Sequence, residues 1–142
     1  MCSSDLNLAP CTIYEEEIAR DGIPASVKVI LVSGCDVLTR TTVKKIIDFR
    51  KRGGKVVGDS ATCPAIGEVD AFLPVLPVWS KLDGKSYDDA FRDSAKSLRD
   101  ILRAYGVVPY ADADDRHMLA RVRSVPGADY LFAINDKRKF AV

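Results

Sequence analysis

One stretch, Val27 to Ser60 (VKVILVSGCDVLTRTTVKKIIDFRKRGGKVVGDS), constrains the fold more than any other, because it reads as a complete β-α-β crossover. Val27, Val29, Ile30, Leu31 and Val32 form a nearly unbroken apolar run, the pattern of a strand buried on both faces of a parallel sheet. Ser33-Gly34 interrupts the run, and Thr39 offers a hydroxyl N-cap to the helix that follows. Val43, Ile46, Ile47 and Phe49 fall on one side of that helix, while Lys44, Lys45, Asp48, Lys51 and Arg52 fall on the other. Gly53-Gly54 supplies the stop, and Lys55-Val56-Val57-Gly58 starts the next strand. Open α/β sheets hold ligands at the carboxyl ends of their strands. Here those ends are Ser33-Gly34-Cys35-Asp36 and Asp59-Ser60-Ala61-Thr62-Cys63, so Cys35, Asp36, Asp59 and Ser60 are the candidate ligand-binding residues. Neither end carries a recognisable catalytic set, and no catalytic residue is assigned.

The flanking segments are read by the same rules. Cys11–Tyr14 is strand-like, and Glu15–Arg20 reads as a short polar helix or turn closed by Asp21-Gly22, with Glu15, Glu16 and Glu17 in solvent. From Ala61 to Gly84, Pro64, Pro74 and Pro77 forbid a long helix, which predicts a loop with one short strand. Its apolar residues between Phe72 and Trp79 are a candidate surface for a neighbouring domain or subunit. Ser86 to Tyr105 is the clearest helix, with Ser86 and Asp89 as a capping pair, an apolar stripe through Ala95, Leu98, Ile101, Leu102 and Tyr105, and Gly106 as the stop. Past it the period becomes two. Met118–Val125 and Tyr130–Asn135 read as strands joined by Pro126-Gly127-Ala128-Asp129. Two strands alone are marginal, so this hairpin extends the first sheet or opens a β domain.

Size and charge narrow the partners. With 142 residues, 47% of them hydrophobic, the chain fits one domain or one domain plus the start of another. A net charge of +1, from 21 basic and 20 acidic residues, gives no broad field for nucleic acid or an anionic membrane. The basic groups at Lys44-Lys45 and Arg50-Lys51-Arg52 suit a helix and its carboxyl end. No run approaches the roughly 20 apolar residues of a membrane helix. Cys11, Cys35 and Cys63 show no C-x-x-C spacing and read as small apolar side chains rather than a metal or redox set. Asp112-Ala113-Asp114-Asp115-Arg116-His117 lacks the glycine and distal glutamate of an EF-hand loop and reads as a solvated connector. No cofactor or metal is expected. Residues 1–6 resemble the translated end of a sequencing adapter and are expected to be a non-native leader. The expected division is then 7–116, an incomplete α/β domain, and 117–142, the hairpin segment, with the chain read as a piece of a longer polypeptide.

A family resemblance rests on particular phrases. TIYEEEIARDGI, VKVILVSGCDVLT, IIDFRKRGGKVVGDS, a long helix running into Tyr105-Gly106-Val107-Val108-Pro109, and ADYLFAIND follow one another as in the β-galactosidase trimerisation domain. The resemblance runs from about Leu8 to Asn135; its most specific pieces are Asp36–Thr39, Gly53–Val57 and Tyr130–Asn135. It implies a flavodoxin-like, three-layer α/β sandwich similar to class I glutamine amidotransferases, with a mainly parallel sheet. Such modules lie behind the catalytic barrel of certain multidomain glycoside hydrolases, where the last phrase enters a β-sandwich, and related modules occur in large bacterial proteins that the resemblance connects with carbohydrates.

Amidotransferase chemistry does not carry over with the fold. Those enzymes place a cysteine in a Gly-x-Cys-x-Gly elbow served by a later His-x-Glu pair. Here Ser60 stands in the nucleophile's place, neither Ala61 nor Thr62 supplies the glycine, and His117 is followed by Leu119 where the glutamate would be. A serine without a base is a weak nucleophile. The leading expectation is therefore a non-catalytic support or oligomerisation module of a larger carbohydrate-active protein, partnered by the other domains of its parent chain or by further copies. The alternative is a small-molecule (sugar) binding domain using the two strand ends. An amidotransferase-like hydrolase comes last.

Overall fold

The computed structural model describes residues 10–73, 84–109, 111 and 118–135, with the backbone alone at 84–92 and 119. The chain is mixed α/β. Helix α1 (Glu15–Asp21) precedes strand β1 (Val29–Val32), helix α2 (Arg40–Lys51) and strand β2 (Lys55–Gly58). A 3-10 turn (Pro64–Ile66), strand β3 (Ala71–Phe72), helix α3 (Gly84–Ala104) and strands β4 (Met118–Val125) and β5 (Ala128–Asn135) follow. Strands β1, β2 and β3 form a parallel sheet in that order, with Val29 opposite Lys55 and Val57 opposite Ala71. Thr12–Val107 is one compact unit; the hairpin belongs to a second that includes Val108 onward. No helix among the described residues is long and apolar enough to cross a membrane.

The β1-α2-β2 crossover forms for the reasons its residues suggest. Thr39 is the N-cap of α2, its hydroxyl accepting the Thr42 N–H at 3.3 Å. At the other end Gly53 adopts φ 93°, and the Gly53 and Gly54 N–H groups return to the Arg50 and Phe49 carbonyls, a Schellman closure. The apolar stripe Val43, Ile46 and Phe49 packs with Ile30, Val32 and Val56 of the sheet. Ile46 and Phe49 keep only 2% of their surface exposed, each burial contributing about 1.5–3 kcal/mol. Thr42 joins them at 1%, its hydroxyl accepting from the Thr39 hydroxyl at 2.9 Å.

Strand β1 differs from expectation. It begins at Val29, and its burial alternates: Ile30 and Val32 are buried while Leu31 is 45% exposed. The strand buried on both faces is β2, where Val56 and Val57 are both fully covered. The reason is position: β2 lies between two strands, whereas β1 pairs with β2 alone among the described residues. Cys11–Tyr14 is likewise no strand. The Tyr14 N–H is taken by the Glu17 carboxylate at 2.9 Å and its carbonyl by the Glu17 and Ile18 N–H groups, so both backbone groups start α1 and neither can enter a ladder.

Between β2 and α3, the described part of the proline-rich stretch holds one short strand, β3, and residues 74–83 lie outside the described residues. Helix α3 starts at Gly84, upstream of Ser86, so Ser86 is not its N-cap. Its described stripe holds: Ala95, Leu98 and Leu102 are buried and Asp93, Lys96, Asp100 and Arg103 are exposed. Gly106, at φ 72°, ends it with the same closure as α2, the Val107 N–H bonding the Leu102 carbonyl at 2.9 Å. In the hairpin the turn is tighter than the sequence suggests. Ala128 and Asp129 pair with Val125 and Ser124, leaving Pro126-Gly127 as the connection. Residues 1–6, 74–79 and 112–117, including His117, lie outside the described residues.

Candidate functional site

The carboxyl ends of β1 and β2 are tied together by one side chain. Asp59 Oδ2 accepts the Ser33 hydroxyl at 2.6 Å and the Gly34 N–H at 2.9 Å. Its Oδ1 accepts the Ala61 N–H at 2.9 Å, in the manner of an Asx turn. Thr62 completes the closure: its hydroxyl accepts the Asp59 N–H at 2.7 Å and gives its proton to the Val32 carbonyl at 2.8 Å. The Ser33 hydroxyl holds the Asp59 carboxyl below the usual carboxylate range, against a desolvation effect, with the Gly34 and Ala61 N–H groups and Thr62 acting in the same direction. Gly58 makes room for this, since a Cβ there would stand 2.6 Å from the Thr62 hydroxyl and 2.8 Å from Val69.

Of the four candidate residues, the structure gathers all at these strand ends but gives them different work. Asp59 is an internal ligand of the loops: its carboxylate occupies the N–H groups that an incoming anion would need. Cys35 is half-buried against the core, its thiol donating to the Ser33 carbonyl at 3.4 Å. Asp36 and Ser60 are exposed. Among the described residues no carboxylate is hydrogen-bonded to Ser60 or to the Cys35 thiol, the partner that would make either a nucleophile; His117, the chain's one histidine, lies outside those residues. Among the same residues no group of three or more His, Cys, Asp or Glu side chains converges as a metal site would. No family model, no curated protein and no solved structure matches the chain.

Two carboxylates missed by sequence reasoning organise the rest. Asp70, on the loop before β3, accepts Lys55 Nζ at 3.0 Å and the Val56 N–H at 2.9 Å, with Arg50 Nε at 3.3 Å. Burial pushes its pKa up, but the Val56 N–H and the two cations outweigh this and leave it below the ordinary value. The Asp70 backbone is engaged too, its N–H with the Val56 carbonyl and its carbonyl with the Tyr105 hydroxyl at 2.9 Å. Glu15, expected in solvent, instead reaches from α1 to accept the Thr39 N–H at 2.6 Å, a bond that lowers its pKa. No spacing in the sequence signals either link, because both join segments brought together only by the fold.

Two open grooves among the described residues lie at the opposite end of the sheet. One of about 460 Å³ is lined by Arg50, Lys51, Lys55 and Asp70, and one of about 400 Å³ by Lys28, Arg52, Lys55 and Tyr105. Their cations already have partners: Arg50 and Lys55 on Asp70, Lys51 near Asp48 at 3.9 Å, Lys28 on the Gly106 carbonyl at 3.1 Å, Arg52 on the Ile23 carbonyl at 3.2 Å. They face the Asp70 and Asp48 carboxylates and satisfy loop and helix-end carbonyls, which is structural work.

Proposed function

We propose that this chain is a non-catalytic α/β support module of a larger carbohydrate-active protein, of the β-galactosidase trimerisation-domain kind. Its parallel β-α-β core would be part of a flavodoxin-like, three-layer sandwich, and its role would be to pack against other domains or further copies. The parent activity would be hydrolysis of β-galactosides or related glycosides. The observation that carries this reading is the closure of the strand ends by Asp59, which fills from within the place where such sheets hold ligands. Exposed apolar side chains add to it. Phe72 is 66% exposed, and Tyr130, Leu131, Phe132 and Ile134 each expose more than half their surface, on both faces of a two-stranded ribbon too small to stand alone.

A second reading is a sugar-binding domain, favoured by the exposed side chains of Asp36 and Ser60 at the strand ends. Two experiments bear on the choice. The coding sequence upstream is expected to specify a barrel with two catalytic carboxylates; an unrelated upstream domain would overturn the assignment. The chain itself is expected to show no turnover of nitrophenyl β-galactosides, and turnover abolished by Ser60→Ala would refute the non-catalytic reading.

A further inference from the structure

Independently of that function, we infer that Cys35 and Cys63 form an oxidisable pair that closes an intramolecular disulfide across the two strand-end loops. Cys35 follows β1 and Cys63 follows β2, and the Cys63 N–H donates to the Cys35 carbonyl at 2.7 Å. With Cα···O about 2.4 Å and N–Cα about 1.5 Å, that bond keeps the two Cα atoms within about 6.6 Å of each other. That lies inside the roughly 4.4–6.8 Å span a disulfide bridges without backbone movement. The side chains also share a side of the sheet: Cys63 belongs to the apolar cluster of α1, α2 and the strands, and Cys35 packs against the same cluster. Both are free thiols. The loops are already pinned just before the pair by the Thr62 bond to the Val32 carbonyl and the Ser33 bond to Asp59, which limits the ordering a cross-link must impose.

Exposure sets the order of events. Cys35 is half-buried and reachable from solvent, whereas Cys63 keeps 6% of its surface exposed. The oxidant is a small disulfide such as oxidised glutathione. The Cys35 thiolate attacks one of its sulfurs, breaking that S–S bond and releasing one glutathione thiolate, which takes up the proton lost by Cys35. The Cys63 thiolate then attacks Cys35 Sγ, forming the Cys35–Cys63 bond and releasing the second glutathione, which takes the Cys63 proton. The balance is two protein thiols oxidised and one glutathione disulfide reduced to two thiols. The product cross-links the loop ends of adjacent strands and closes residues 35–63 into a ring, removing freedom from the unfolded chain.

The test is equilibration of the full chain in buffers of graded reduced-to-oxidised glutathione ratio, followed by acid quench, alkylation, tryptic digestion and mass spectrometry. Cleavage after Lys28, Arg40, Lys55 and Lys81 places the two cysteines on separate peptides, 29–40 and 56–81. The expected result is a species joining these two peptides, with Cys2 and Cys11 still alkylated, and a melting temperature raised by on the order of 10 °C over the reduced chain. Cys35→Ser is expected to fold, to lose both the linked species and the oxidative rise, and to leave Cys63 unmodified. A mixed disulfide that stops at Cys35, pairing with Cys11 or Cys2 instead, or two separately alkylated peptides at the most oxidising ratio would each overturn the inference.

Discussion

The Asp59 carboxylate accepts the Ser33 hydroxyl at 2.6 Å across the ends of two neighbouring strands, linking residues 26 positions apart in the chain. With the Gly34 and Ala61 N–H groups on the same carboxylate, this contact makes the expected ligand end of the sheet into a closed structural joint. Removing the carboxylate would strand three donors. Asp59→Ala is expected to lower the melting temperature by a few degrees and to speed amide exchange at Gly34 and Ala61. Unchanged exchange at both amides would show that the joint is not formed in solution.

Acid should act on the same carboxylates. Glu15, Asp59 and Asp70 all have folded-state pKa values below their ordinary ones. For such groups the unfolded state binds protons first, so their stabilisation is complete above the unfolded value, ~4, and is lost as pH falls toward the folded value. Urea midpoints are therefore expected to be level from pH 7 to about 5 and to fall steeply below 4. Asp70→Asn should flatten that fall while lowering the plateau, because the amide still faces Val56 but no longer balances Lys55 and Arg50. An equally steep fall in the variant would remove Asp70 from the explanation.

Adjacent glycines are required for different reasons. Gly53 lies in the left-handed region with open space around it, so Gly53→Ala should cost about 1 kcal/mol of backbone strain. Gly54 is backed by the Phe49 ring, where a Cβ would overlap ring carbons. Gly54→Ala should cost about 1–3 kcal/mol, the larger of the two, unless Phe49 finds another rotamer. Denaturant midpoints of both variants, with Phe49→Leu as a background that relieves the overlap, distinguish strain from crowding.

Much of this was legible in the chain. The β1-α2-β2 unit could be read because its signals are local: an apolar run, a threonine cap, a helical stripe and a glycine stop, each within a few residues of the next. Asp59 could be placed at a strand end, yet its partners Ser33 and Gly34 lie in the loop after another strand and no periodicity names them. Asp70 and β3 sit in a proline-punctuated stretch without a period, so neither their place nor their partners could be read. Leu31 was misread for a related reason. An apolar run reports that a strand is hydrophobic, but whether both faces are covered depends on its neighbours, and the covered strand is β2.

Tyr105 tests the seam between α3 and the sheet. Its hydroxyl donates to the Asp70 carbonyl, while its ring lies under Lys55 Nζ at 5.7 Å from the centroid. Tyr105→Phe removes the hydrogen bond and keeps the ring, with an expected loss of about 1 kcal/mol. Tyr105→Leu should lose more, since the cation–ring contact goes as well. Equal losses in the two variants would assign the whole effect to the hydroxyl.

The most direct measurement is a two-dimensional amide spectrum of the labelled chain titrated with galactose and with lactose to high millimolar concentration. A strand end closed by Asp59 predicts no saturable shifts at Gly34, Asp36, Ser60 or Ala61. Saturable shifts confined to those amides, lost in Asp36→Ala or Ser60→Ala, would contradict the support role and make this end of the sheet a binding site.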